Sequence, residues 1–143
     1  MSRIVSFRGL LADGGQESIP LQTIRGLIGY KIVKFDIMPE SVDNAQISTV
    51  QIFSVQQGTP TNAIDFSDQT LLGVAVHQNN SSSAYPWSGG IFFDNIIFNQ
   101  DIYITHQETG ATDPVNWYIE LEQRDLALDE ATVATLKDIR NND

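Results

Sequence analysis

The pattern that most constrains this chain is alternation with period two, because alternate residues of an extended strand face opposite sides of a sheet. In "YKIVKFDIM" the spacing sets Val33, Phe35 and Ile37 on one face and Lys34 and Asp36 on the other. In "LLGVAVHQ" it groups Leu72, Val74 and Val76 opposite Gly73, Ala75 and His77, and in "NWYIELEQR" it groups Trp117, Ile119 and Leu121 opposite Tyr118, Glu120, Glu122 and Arg124. Each reads as a half-buried strand with one wet face, as in antiparallel sheets. "ISTVQIFSV" mixes parities, which a bulge or burial on both faces would produce. "RIVSF" and "IPLQTI" read as shorter strands, with Pro20 placing the second at an edge or a strand beginning.

Turn residues punctuate these runs at Gly14-Gly15, Gly58 to Pro60, Asn79 to Ser83, Gly89-Gly90 and Gly110 to Pro114. Many short strands between turn signals predict an all-β fold. The expectation is one β-sandwich domain over residues 1–143, jelly-roll-like, with about eight strands and a short C-terminal α-helix. Within it, residues 1–27 form a candidate N-terminal docking segment.

The period changes near the end. "LDEATVATLKDIRNND" predicts a helix over 129–141 with Asp129 as N-cap, Leu128 and Val133 as a hydrophobic staple, and an apolar stripe of Val133, Leu136 and Ile139. That stripe must dock either on its own domain or on a neighbouring subunit.

Charge is distributed as unevenly as hydropathy. The 143 residues carry a net charge of −10, which repels polyanions and argues against a nucleic-acid partner. No Lys or Arg lies between Phe35 and Gln123, a span with eleven Asp and Glu, whereas the first 34 residues sum to +3. The N-terminal cations, Arg3 and Arg8 among them, therefore meet something acidic: a neighbouring copy, or the chain's own body. Cysteine is absent, which excludes disulfides and thiolate metal sites. No run reaches the ~20 apolar residues of a membrane-spanning helix, and the N-terminus lacks a secretory h-region. A soluble, non-secreted product with no membrane partner is expected.

Catalytic patterns are weak. If a regular strand begins at Ile96, Asp101 and His106 face opposite sides and cannot act as base and orienter; His106 reads as a buried, satisfied imidazole and His77 as a surface one. Glu120 and Glu122 form a paired-carboxylate pattern, but with Arg124 on the same row they read as an ionic face. "DFSDQT" and "QETGATDP" offer oxygens to calcium without the EF-hand register, and turn chemistry accounts for both. The expectation is a protein that is not an enzyme and takes no cofactor or metal. In "HQNNSSSAYPWSGG", Tyr85 and Trp87 flank Pro86 on a polar loop. They fold onto the core, anchor a protein contact, or stack on a glycan.

Four strings, "MSRIVSFRGLLADGGQ", "IIFNQDIYIT", "NWYIELEQ" and "ATVATLKDIR", resemble small virion structural proteins of marine tailed bacteriophages, including cyanophages. The resemblance implies a capsid-associated or decoration protein present in many copies, located in the virion, with the major capsid protein or other virion proteins as partners and self-association into a homo-oligomer. The interface candidates are Arg3, Phe7, Arg8, Val133, Leu136 and Ile139. The alternative is a receptor-binding or fibre-associated module that reads a host glycan through residues 77–90.

Overall fold

The computed structural model describes residues 2–23, 26–42, 45–79, 87–109 and 112–141. Eight strands precede one helix: β1 (Ser2–Leu11), β2 (Gln16–Ile19), β3 (Ile28–Pro39), β4 (Gln46–Phe53), β5 (Leu71–Asn79), β6 (Trp87–Phe92), β7 (Ile102–Glu108), β8 (Val115–Asp125) and α1 (Leu128–Asn141). They form an antiparallel three-stranded sheet in the order β1-β8-β3 and an antiparallel five-stranded sheet in the order β2-β7-β4-β5-β6. The nested pairs β1 with β8, β2 with β7 and β4 with β5, with β3 packed beside β6, are the winding of a jelly roll. The fold is an all-β sandwich with a C-terminal helix.

The core lies between the sheets. Ile32, Phe35, Ile119, Leu121 and Trp117 from the three-stranded sheet meet Val50, Ile52, Leu72, Ala75, Ile102 and Ile104 from the five-stranded one. Strand β8 keeps the alternation read from its sequence, with Trp117, Ile119 and Leu121 buried and Tyr118, Glu120 and Glu122 half-buried.

Two strands depart from the expected parity. In β3 the register with β8 slips between Ile32 and Lys34; the extra residue of this bulge is Val33, so Ile32 rather than Val33 shares the buried face with Phe35. In β5 the register with β4 slips where Ile52 pairs Gly73 and Phe53 pairs Leu71. Leu71 to Ala75 are all buried, so β5 has no wet face over that stretch.

β4 is buried on both sides, because the loop after it folds across the outer face of its sheet. Gln51 Nε2 donates to the carbonyls of Thr61 at 3.0 Å and Ala63 at 3.2 Å. Gln16 and Gln57 exchange two hydrogen bonds of 2.9 and 2.8 Å, and Asn62 donates to Thr109 Oγ1 at 2.7 Å. Pro20 follows the last residue of β2 instead of starting a strand. The segment before β7 is irregular until Ile102, held by a two-bond bridge between Phe98 and Tyr30.

The helix starts at Leu128, one residue earlier than expected, and its cap lies two residues earlier. Ala127, not Asp129, holds the cap position: its carbonyl accepts from Ala131 N at 2.9 Å, and its N–H donates to Glu130 Oε1 at 3.1 Å, the reciprocal half of a capping box. Ala131 and Ala134 are buried, whereas Val133 is 67% exposed and Leu136 61% exposed. Asn99 anchors this small-residue face, donating from Nδ2 to Gly26 O at 3.0 Å and Thr135 Oγ1 at 2.7 Å. The helix rests on its own domain through alanines and turns Val133 and Leu136 outward.

Candidate functional site

The outer face of the three-stranded sheet carries the open side of the molecule. Across β1, β8 and β3 its rows read Ile4–Glu122–Lys31, Ser6–Glu120–Lys34, Arg8–Tyr118–Asp36 and Leu10–Asn116–Met38. Lys31 and Lys34 stand directly opposite Glu122 and Glu120, a cross-strand arrangement of opposite charges that favours pairing. Lys34 Nζ also lies 5.9 Å from the centroid of the Tyr118 ring, and the Tyr118 hydroxyl donates to Glu120 Oε2 at 2.6 Å. That hydrogen bond raises the Tyr118 pKa. Glu120 and Glu122 thus stand on a face where lysines lie across the strand from them.

Every cation on a strand, Arg3, Arg8, Lys31, Lys34 and Arg124, belongs to this sheet; the strands of the other sheet contain none. The folding that brings the first, third and last strands together therefore turns an asymmetry along the chain into an asymmetry between two sheets. Arg3 and Arg8 are exposed and Phe7 is half-buried. Ile4 is 54%, Leu10 46% and Met38 63% exposed on the same surface. A groove of about 520 Å³ opens between Arg8, Asp36, Met38, Asn116 and Tyr118, along Gly9, Ile37 and Trp117. Gly9 is required there, since a Cβ would lie 2.9 Å from the Trp117 indole.

A second polar constellation lies inside. Along β4 and β7 the inward-facing residues change from Ile52, Val50, Ile102 and Ile104 to Ser48, Gln46, His106 and Glu108. His106 has no exposure. Its Nδ1 is 3.1 Å from the Leu11 carbonyl and 3.2 Å from that of Ala12, and its Nε2 is 3.0 Å from Ser48 Oγ. Carbonyls only accept, so Nδ1 carries the proton and Nε2 accepts from the serine hydroxyl. Ser48 Oγ accepts in turn from Gln46 Nε2 at 2.6 Å, which also donates to Pro114 O at 3.1 Å. Burial holds the imidazole below its ordinary pKa, in keeping with a neutral ring. With the backbone pair Gly14 N to His106 O and His106 N to Gly15 O, this histidine ties the β1–β2 turn to β7.

Glu108 sits two residues further along the same face. Its Oε2 accepts from Asp113 N, while its Oε1 and the Gln46 Oε1 are both buried without a hydrogen-bond partner. Burial pushes its pKa up, with Asp113 and Asp13 adding repulsion. The sequence reading found His106 but missed Gln46, Ser48 and Glu108; the mixed parity of "ISTVQIFSV" was the signal that β4 buries polar groups.

Among the described residues no three His, Asp or Glu side chains cluster as metal ligands. In "DFSDQT", Asp65 Oδ1 accepts from Ser67 N and Oγ at 3.0 and 2.5 Å, and Asp68 Oδ1 accepts from Thr70 N and Oγ1 at 2.9 and 2.7 Å; these carboxylates close their own turns. Asp101 Oδ1 accepts from Leu21 N and Gln22 N, remote in role from His106. His77 is half-buried rather than on the open surface, and burial lowers its pKa. Tyr85 and the side chains of Trp87 and Ile139 lie outside the described residues.

No family model and no curated protein matches the chain. Among solved structures, it is similar to a chain from Bacillus endospore appendages, described as a novel family of disulfide-linked pili, with 13% identity, 89% of this chain and 92% of that one covered, and a TM-score of 0.34. It is also similar to the decameric BFDV capsid protein, with 9% identity, coverage of 86% and 100%, and a TM-score of 0.21. Neither likeness is close enough to carry an argument about this chain, whose fold stands on its own strand pairing.

Proposed function

We propose that this protein is a structural subunit of a tailed-phage virion, a capsid decoration or cement protein that works through protein–protein contacts and performs no chemical step. Its partners are the major capsid protein or other virion proteins, together with further copies of itself. The observation that carries the reading is the orientation of α1: the helix is fixed to its own domain by Ala131, Ala134 and the Asn99 hydrogen bonds, yet Val133 and Leu136 face outward. Apolar side chains that a domain does not need for its own core are suited to a neighbour. The resemblance of the four quoted strings to marine phage structural proteins supplies the virion assignment.

Purified particles of the encoding phage, probed by mass spectrometry and antibody labelling, should contain the protein on the shell in many copies. Its absence from particles overturns the reading. Leu136→Ala should lower its occupancy on the shell while the domain stays folded; unchanged occupancy removes the helix from the contact.

A further inference from the structure

Of the four sheet edges, three are short or interrupted. β2 has four residues and β6 six, and β3 carries the Val33 bulge and is bridged on its free side at Tyr30 by Phe98. β1 differs. It runs ten residues in unbroken register with β8, contains no proline, and no other strand pairs with its free side among the described residues. Its core-facing residues are also incomplete: Val5 and Phe7 pack against the core but stay half-buried, while their β8 partners Leu121 and Ile119 are fully buried. A long, regular edge that no described strand covers is a template for another strand; β1 has neither a bulge nor a proline to prevent this, and its only edge charges are Arg3 and Arg8.

We propose that β1 pairs antiparallel with β1 of a second copy, joining two three-stranded sheets into one six-stranded sheet. The inference rests on the reading of the chain as an assembly subunit and specifies one of its contacts. The occupant follows from self-complementarity. Antiparallel partners that sit opposite share a face, so matching outer face to outer face requires residue numbers of equal parity to pair. In the register with Phe7 on the two-fold axis, Ile4 meets Leu10, Val5 meets Gly9, and Ser6 meets Arg8. The two exposed apolar residues of β1 then cover each other, and the half-buried Phe7 rings meet at the axis. Gly9, the position with no side chain, takes the place beside Val5.

Charge agrees with this register. Arg3 faces Leu11 and Arg8 faces Ser6, so no two arginines are opposed. In its own copy Ser6 lies opposite Glu120, which places Arg8 of one copy in the same row as Glu120 of the other. Two strand spacings, about 9–10 Å, separate their backbones, a gap that an arginine and a glutamate bridge across the small serine.

The test uses the absence of native cysteine. Ile4 and Leu10 are exposed in the single copy, so Ile4→Cys and Leu10→Cys leave the fold intact. Directly opposed residues in an antiparallel pair have the Cα separation that a disulfide needs. An equimolar mixture of the two variants, one carrying a mass tag, should on mild oxidation give the mixed 4–10 disulfide several-fold over either homodisulfide. Ile4→Lys should weaken dimerisation by about tenfold or more, read as a shift in the concentration dependence of the light-scattering mass. Equal yields of all three disulfides, no cross-link, or an unaffected dimer in Ile4→Lys overturns the proposal. Presence of the protein on particles without the 4–10 cross-link removes this contact alone, whereas the cross-link without presence on particles removes the virion reading alone.

Discussion

The two sheets of this protein follow different rules. The three-stranded sheet has one dry and one wet face, and along β8 buried and water-facing residues alternate as the sequence does. The five-stranded sheet is dry on both faces over β4 and much of β5, because a loop covers its outside. It also admits Gln46, Ser48, His106 and Glu108 to its inner face. The difference is one of solvent access: a polar residue on a wet face costs nothing, whereas on a covered face it must find a hydrogen-bond partner. One sheet therefore offers surface for contacts, and the other binds its surroundings tightly through specific polar bonds.

Four substitutions probe this contrast. The largest effect belongs to the shared core: Leu121→Ala, at a site with no exposure, should cost about 2–5 kcal/mol in chemical denaturation. A loss below about 1 kcal/mol would show that the sandwich is packed more loosely there than its burial implies. Next comes Ser48→Ala, which leaves His106 Nε2 without its donor and Gln46 Nε2 without one of its two acceptors. It should cost about 1–3 kcal/mol, whereas Ser6→Ala on the wet face of β1 should stay within about 0.5 kcal/mol. Equal losses at the two serines would erase the distinction between the sheets.

The smallest effect is a pH dependence. Burial raises the Glu108 pKa in the folded state, so its contribution is fully present below the unfolded carboxylate value and is lost as pH rises through the folded one. His106 runs the other way: its folded pKa is depressed, so its contribution is present above the unfolded imidazole value and is lost as pH falls through that value toward the folded one. Glu108→Gln should remove the decline on the alkaline side of the carboxylate range and leave the acid-side decline from His106. If the wild-type and Glu108→Gln stability profiles have the same shape, the five-stranded sheet does not hold a proton at that position.

Strand β8 was legible because its own residues carry no bulge, the slip against β3 falling on Val33 of the partner strand, and because its outer face meets water. β3 and β5 were misread by one position each, since a bulge changes parity at a place that depends on the partner strand and not on the local sequence. Asp129 is a good cap by type, yet the chain reaches the helix through Leu126, whose N–H is held by Leu27 O at 2.8 Å, and this fixes the cap at Ala127. Periodicity grouped Val133 and Leu136 on one side of the helix but could not assign that side a direction; both face outward. Small alanines allow close approach to Asn99 and Gly26, and that fit, rather than hydrophobicity, decides which side faces inward.

Of the polar cluster only His106 was visible, as a histidine at the end of an apolar run. The bonds of the cluster run from His106 to Ser48, 58 residues away, and to the Leu11 carbonyl, 95 residues away, and from Gln46 to the Pro114 carbonyl, 68 residues away, beyond the reach of any local pattern. By itself the sequence determined the all-β class, the strand count, the terminal helix and the uneven charge, because these depend on periodicity and composition. Tertiary structure alone decided which face of each irregular strand is buried, how the strand-borne cations from both ends of the chain gather on one sheet, and which edge no described strand pairs with. Those outcomes depend on contacts between residues far apart in the chain.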